Sequence, residues 1–591
     1  MTAFLTKFFA FLISILVGIS NLTGWGKGEI VPNKNGSLAC VDSLGREIVS
    51  SGGSSEKQVG VFYFLWLETR AKLCDNTKLV AEHPDAINSV ENWMTYGGLP
   101  EGEFHFWGEP LFGYYISKDK WVLGKHLQML TDAGVDFIFF DTTKGYSYSE
   151  VVYNLIDVWY KYLLQGWDVP QIAFYSAATG KAVNKTYDEF YNNAELKAKY
   201  PRLDELWYKW DNKPLIIGST TDSELRDDVK SYFRIKASQW PTRGKKIDGF
   251  PWIEFDRSLT YQAIYGTFIG DSIMSVSVAQ HTQGFFSSTA WYGGNSRSRS
   301  WHNGANDTSP NAPLYGYNFT EQWDFAMLYN PDVIFVTSFN EWVAQRNKPT
   351  ATEPIRFVDT ADFNNSRDIE PMNGMLGDNY YMQFVNYVAK FKRTATIKVN
   401  REDVSIDMSS GFEQWNNSKI SARYQDYTGD TVDRDSAGAE VGLQYTDTSG
   451  RNDINTMKVA KDSHYLYFYV DTVDTLKAVK DENTMNLLLS VDKTNPNKNG
   501  YNFRIIPYGS DGKAQISKYT GTGFEVVGEA DMVENGNQIM LRVSRNLLGL
   551  ENEKVNIQFK WTDNCDFNDL YSFYTKGESA PLGRLNYTFS E

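Results

Sequence analysis

Apolar positions follow two patterns along this chain, and the change falls near residue 392. Upstream, eight short apolar runs recur: Gly60–Trp66, Val135–Asp141, Gln171–Ser176, Leu215–Ser219, Tyr232–Ala237, Phe250–Phe255, Ser272–Gln280 and Val333–Ser338. Several are almost continuously Val, Ile, Leu and Phe, the pattern of strands buried on both faces. Between them lie stretches with helical spacing, such as Lys120–Ala133, Ser149–Gln165 and Phe319–Tyr329. Strand and helix in alternation predict βα units, and eight of them predict a (β/α)8 barrel with long loops. The helix Asp378–Lys392 would close it. A doubly wound open sheet is the alternative, but no Gly-rich phosphate fingerprint follows the first run.

Past Lys392 the runs His464–Val470, Met485–Val491, Tyr501–Ile506, Gln538–Val543 and Val555–Trp561 alternate or stay apolar between Gly, Asn and Asp turns. Little there has helical spacing. This predicts an antiparallel β-sandwich. At the other end, Lys7 precedes the apolar run Phe8–Ile19, the length of a secretory signal rather than of a membrane span. No clean small-x-small cleavage site follows, so an uncleaved anchor stays open. The division that results is a signal or anchor at 1–27, a Gly/Ser/Asn/Lys-rich flexible tether at 28–57, a barrel at 58–395 and a sandwich at 396–591.

Composition narrows the partners. The 591 residues carry a net charge of −15, which argues against nucleic acid or an anionic membrane surface. Three cysteines cannot build a disulfide framework, and neither they nor the six histidines have metal-site spacing. Aromatic residues make up 15% of the chain, a composition that suits glycan clefts as well as large cores.

Catalytic side chains of a (β/α)8 barrel project from the C-terminal ends of its strands, so the strand ends are where chemistry is sought. The last run ends Thr337-Ser338-Phe339-Asn340-Glu341-Trp342, placing a carboxylate between an amide and an indole. Such a set suits a sugar, with Trp342 stacking on the ring and Asn340 and Glu341 bonding hydroxyls. The second run ends in Asp141, followed by Tyr146, and the sixth leads to Glu254 and the Asp256-Arg257 pair. The seventh leads to His281. A cap or loop anchor explains Asp141 equally well. Upstream, Phe104–Pro110 and Gly113–Tyr115 form an aromatic loop in which Trp107, Glu109, His105 and Tyr114 could wall a sugar cleft or simply lid the core. Arg297 and Arg299, in the polar loop after the seventh run, suit either an anionic ligand or solvent.

With these residues in hand, the first domain resembles the glycoside hydrolase family 71/99-like barrels. The likeness rests on Ala133–Asp141, on Thr337–Trp342, and on Ser366-Arg367-Asp368-Ile369-Glu370-Pro371 with Gly377–Tyr381. The resemblance implies a glycosidase in which Glu341 is one catalytic carboxylate. Family 99 carries a second Glu three residues after the first; here that position is Ala344, so only Glu341 carries over. The region after residue 396 resembles family 9 carbohydrate-binding modules through Val459–Phe468. Those modules often hold a structural calcium, but no oxygen-ligand loop is legible here, and no other cofactor is implied.

The reading is therefore a secreted or cell-surface glycoside hydrolase acting on a poly- or oligosaccharide. Hydrolysis commonly needs two carboxyl groups, and here Glu341 is central with Glu254 or Asp141 as partner. The alternative is a barrel that binds or scaffolds glycan without cleaving it, given Ala344. Trp415 and Trp561 are the flat binding candidates of the sandwich.

Overall fold

The computed structural model describes residues 35–53, 55–254, 260–267, 270–280, 289–293, 296–358, 362–393, 402–508 and 513–591. The N-terminal apolar run, the Asp256-Arg257 pair and His281 lie outside the described residues.

Eight parallel strands form the first unit: β1 (Gln58–Tyr63), β2 (Phe137–Thr142), β3 (Gln171–Ser176), β4 (Lys213–Gly218), β5 (Arg234–Gln239), β6 (Gly249–Pro251), β7 (Ile273–Ser277) and β8 (Val333–Thr337). Their order is β6-β5-β4-β3-β2-β1-β8-β7, all neighbours parallel. This is the sequential winding of a (β/α)8 barrel, and each strand falls on one of the eight apolar runs. Between β6 and β7 the ladder is interrupted. There the main chain of Tyr265 exchanges two hydrogen bonds with Ile273, and the Gly266 amide donates to Ile247 O. One short loop segment thus bridges the two sides of the seam.

Aromatic rings fill the barrel. Phe335 meets Phe62, Phe139 and Phe250 edge to face at centroid distances of 5.9, 5.5 and 5.1 Å, a favoured geometry for ring pairs. Phe137 occupies its place because its neighbour on β1 is Gly60. A Cβ at Gly60 would stand 2.1 Å from the Phe137 ring. Outside the strands, helices α1 (Lys120–Asp132), α2 (Ser149–Leu164), α3 (Tyr317–Tyr329) and α4 (Asn379–Lys392) bury their apolar faces. Helix α1 starts where the Asp119 carboxylate accepts from the amides of Trp121 and Val122, two of the donors a helix start leaves unpaired.

The second unit is antiparallel throughout. Its strands are β9 (Ala422–Gln425), β10 (Ile454–Lys461), β11 (Tyr465–Thr472), β12 (Asn486–Ser490), β13 (Phe503–Ile506), β14 (Ala514–Tyr519), β15 (Phe524–Asn535), β16 (Gln538–Ser544), β17 (Asn556–Asp563), β18 (Glu578–Ala580) and β19 (Tyr587–Ser590). They order as β9-β10-β11-β16-β15-β14-β13-β12-β17-β18, with β19 on β17. Alternate residues such as Leu466, Phe468 and Val470 share one core with Leu487, Leu489 and Phe559, as in a sandwich. Trp415 and Trp561 are buried in cores of this unit rather than offered to a ligand.

The two units share buried polar contacts. The Asp119 carboxylate pairs with Arg434 at 2.8 Å, Asp378 pairs with Arg584 at 2.9 Å, and the Tyr427 hydroxyl donates to Asp132 at 2.9 Å. Trp167 stacks on Tyr427 at 3.9 Å. Part of the stretch read as a tether is also ordered. Ala39–Val41 and Glu47–Val49 form a hairpin that buries Leu38, Cys40 and Ile48, and its Ala39 exchanges hydrogen bonds with Asn586. Its few apolar residues are spaced too sparsely to announce strands.

Candidate active site at the barrel mouth

Glu341 stands four residues past the end of β8. Its carboxylate pairs with Arg367, and both side chains are almost fully buried. Its own amide donates to Asp368 Oδ1 at 2.6 Å. The same Asp368 oxygen accepts from the Ser338 hydroxyl at 2.6 Å, and Oδ2 accepts from Trp107 Nε1 at 3.2 Å. Three donors, two from the turn itself and one from Trp107, therefore fix the β8–Glu341 turn on one carboxylate. Burial pushes the Asp368 carboxyl above its ordinary range, while Ser338, the Glu341 amide and Arg367 pull against it. Arg299 braces the arrangement from behind. Its Nη2 donates to Ser366 Oγ at 2.6 Å and to Asp368 O at 2.7 Å, and its guanidinium lies 4.1 Å from the Tyr380 ring centre. That is a buried strut and not a solvent-facing anion receptor.

The Arg367 guanidinium also lies 5.1 Å from the ring centre of Trp252. Trp252 follows β6 directly, and its carbonyl accepts from the Thr337 hydroxyl at the end of β8. Two residues on is Glu254, buried, accepting from the Tyr265 hydroxyl, while its main-chain carbonyl accepts from Gln280 Nε2. Glu341, bonded to Arg367, and Glu254, two residues past Trp252, thus both follow strands at the same end of the barrel. A buried carboxylate needs a cation or donors around it, and here Glu341 has Arg367 and Glu254 has Tyr265.

Asp141, at the end of β2, is half-buried and accepts from the Thr143 amide at 2.9 Å, the loop-anchor role that sequence left open. Its charge still reaches the mouth. Burial is the first cause raising the pKa of the Tyr175 hydroxyl, opposed by the Gln239 amide, and the charges of Asp141 and Glu254 both add to the rise. Aromatic rings line this end. Trp240, after β5, meets Trp252 edge to face at 5.2 Å, and Trp66, after β1, stacks on Phe64 at 5.6 Å; both are half-buried.

Other candidates fall elsewhere. Trp342 is 0% exposed, stacked on Trp107 at 4.3 Å, and its indole N–H donates to Glu370. The ring meant for a sugar is core, because the chain turns after Glu341 and sends the next side chain inward. Asn340 clamps β1, accepting from the Phe64 amide at 2.8 Å and donating to Phe64 O at 3.2 Å. Glu109 pairs with Lys78 on the surface, and Tyr114 donates to Asp75 at 2.7 Å. Tyr146 is exposed beside Tyr148. His105 is buried and accepts from the Leu99 amide at 3.0 Å through Nε2.

Sequence reasoning missed Arg367, Asp368, Tyr265 and Trp252 as site residues, and read Arg299 as a ligand or solvent contact rather than a buried strut. The signal for two of them was present in Ser366–Pro371, where three charged side chains crowd around an Ile and a Pro.

No family model matches the chain, and no curated protein matches it. Among solved structures, the GH99 endo-alpha-mannosidase from Bacteroides thetaiotaomicron is similar at 13% identity and a TM-score of 0.35, over 57% of this chain and 98% of that one. The same enzyme in complex with BIS-TRIS-propane gives 15% identity and a TM-score of 0.32. A glycoside hydrolase-like protein gives 13% and 0.25, over 56% of this chain and 94% of that one.

Proposed function

We propose that the barrel is a glycoside hydrolase in which Glu341 and Glu254 are the carboxyl pair acting on the reacting sugar. The observation that carries this is that both follow strands at one end of the barrel, Glu341 on Arg367 and Glu254 two residues past the Trp252 that Arg367 faces. Carboxylates at the same face of a barrel are positioned for acid and base roles on one bond. Half-buried Trp240 and Trp66 supply the apolar faces a sugar ring stacks on, the role first read into Trp342. Asp141 is the reserve partner. In this reading the N-terminal apolar run exports the chain, and the substrate is a poly- or oligosaccharide outside the cell.

The competing reading is a barrel that binds glycan without cleaving it. It draws on the ion pair that engages Glu341 and on Ala344 at the family's second acid position. Incubating the full chain with a panel of polysaccharides and measuring new reducing ends separates the two. Release of reducing ends supports hydrolysis; retardation in affinity electrophoresis without release supports binding alone.

A further inference from the structure

Away from the mouth, three carboxylates converge where the β-sheet unit meets helix α1. They are Asp430, on the loop after β9; Asp453, just before β10; and Glu578, at the start of β18. One oxygen from each lies within 4.8 Å of the other two. Glu578 is 1% exposed; its oxygens accept from no N–H or hydroxyl, and its carboxyl lies at hydrogen-bonding distance from that of Asp426. Asp430 Oδ1 and Asp453 Oδ1 are likewise buried without a donor. Their second oxygens are held by neutral groups: Gln128 Nε2 of α1 donates to Asp430 Oδ2 at 2.7 Å, and the Gly429 amide donates to Asp453 Oδ2 at 2.6 Å.

Among the described residues no Lys, Arg or His forms an ion pair with Asp430, Asp453, Glu578 or the neighbouring Asp426. The charges of Lys125, Lys161 and Lys560 reach Glu578, Asp453 and Asp426 without forming an ion pair. Lys161 donates to Gly429 O, Lys125 lies over the Trp121 ring at 5.3 Å, and Lys560 donates to Ser579 Oγ and Pro581 O. Buried, unpaired carboxylates are costly and demand a proton or a cation. Without a cation, burial and mutual repulsion raise the pKa of Asp426 and Glu578 far above the ordinary range and lift that of Asp453 to about 7.

We propose that Asp430, Asp453 and Glu578 bind a hard divalent cation of the calcium class, and that it locks the β-sheet unit onto α1 of the barrel through Gln128. Three points no more than 4.8 Å apart share a centre within roughly 2.8 Å of each, close to the ~2.3–2.6 Å of calcium–oxygen bonds. All the donors are oxygen, the set that hard cations select. The smaller magnesium ion demands near-ideal octahedral geometry and shorter bonds, so calcium is favoured.

The test uses the full chain, stripped with EDTA, desalted and titrated with CaCl2. Thermal unfolding should shift upward by several degrees and saturate, calorimetry should give one Ca2+ per chain, and MgCl2 should act at least tenfold more weakly. Glu578→Gln removes the central ligand and should abolish the saturable shift. If that variant does not fold, Asp453→Asn, at the more exposed ligand, should weaken Ca2+ at least tenfold. The absence of any Ca2+-dependent shift up to about 10 mM, a concentration that saturates even weak extracellular sites, would overturn the proposal and leave shared protons as what offsets the charge. A shift that survives unchanged in the folded variant would overturn it too, because the cation would then bind elsewhere.

Discussion

Arg367 holds its guanidinium on the carboxylate of Glu341 while lying 5.1 Å from the ring centre of Trp252. One side chain thereby ties Glu341, in the turn after β8, to Trp252, the residue after β6. Asp368, its neighbour in sequence, takes the Glu341 amide. Two consecutive residues thus set both where Glu341 stands and what charge it faces.

Asp368→Ala leaves the Ser338 hydroxyl and the Glu341 amide without their acceptor, while the Trp107 indole keeps the Glu341 carbonyl. Unpaired buried groups cost about 1–3 kcal/mol each. Chemical denaturation should show a loss of at least ~2 kcal/mol, with Asp368→Asn milder because one acceptor oxygen remains. Equal stability of both variants with wild type would mean the turn is held by other contacts.

Trp342→Phe should lower the unfolding midpoint, since the ring loses its bond to Glu370 and part of its stack on Trp107. On any substrate found, KM should stay within about twofold, because a buried ring offers no face to a sugar. A KM raised tenfold or more with the fold intact would return Trp342 to the binding site. Trp240→Ala should show the opposite split.

His105 gives the acid limb of stability. Burial, with Arg346 nearby, depresses its pKa to about 3, against about 6.5 in the unfolded chain. The folded state keeps the ring neutral and binds fewer protons, so this stability is fully present above pH 6.5 and is lost as pH falls toward 3. The slope is about 1.4 kcal/mol per pH unit at most. His105→Gln keeps an acceptor for the Leu99 amide and should flatten the pH dependence between 6 and 4. An unchanged slope would assign the acid limb to carboxyl groups.

The barrel was legible because its signal is local. Each strand is a short apolar run such as Phe137–Phe140, and the alternation with helices dictates parallel neighbours. The ends of those runs pointed to Glu341, Glu254 and Asp141, which lie at or a few residues past the ends of β8, β6 and β2. What sequence could not supply was direction and partner. Trp342 and Trp107 read as cleft walls but stack on each other, since an aromatic residue looks the same to a sequence whether it faces sugar or core. Arg367 and Asp368 meet Glu341 from 26 and 27 residues away, and no periodicity encodes such a contact. The hairpin 39–49 was hidden for a similar reason, because its ordering depends on the distant Asn586 and on α4.

The units should stay joined after the chain is cut. The buried pairs Asp119–Arg434 and Asp378–Arg584 and the Trp167–Tyr427 stack lie on either side of residues 394–401. A protease site engineered within 394–401 should give two fragments that coelute in size-exclusion chromatography. Separate elution in native buffer would show that the contacts do not hold the units together.

The central claim is that Glu341 and Glu254 act together on the sugar, and carboxyl-to-amide exchange tests it most directly. On the polysaccharide that releases most reducing ends, Glu341→Gln and Glu254→Gln should each lower turnover by ~10²–10⁴-fold, the usual cost of losing an essential acid or base. Circular dichroism and the unfolding midpoint should show both variants folded. Folded Glu341→Gln with turnover near wild type would contradict the account outright, and folded Glu254→Gln with wild-type turnover would pass the second role to Asp141.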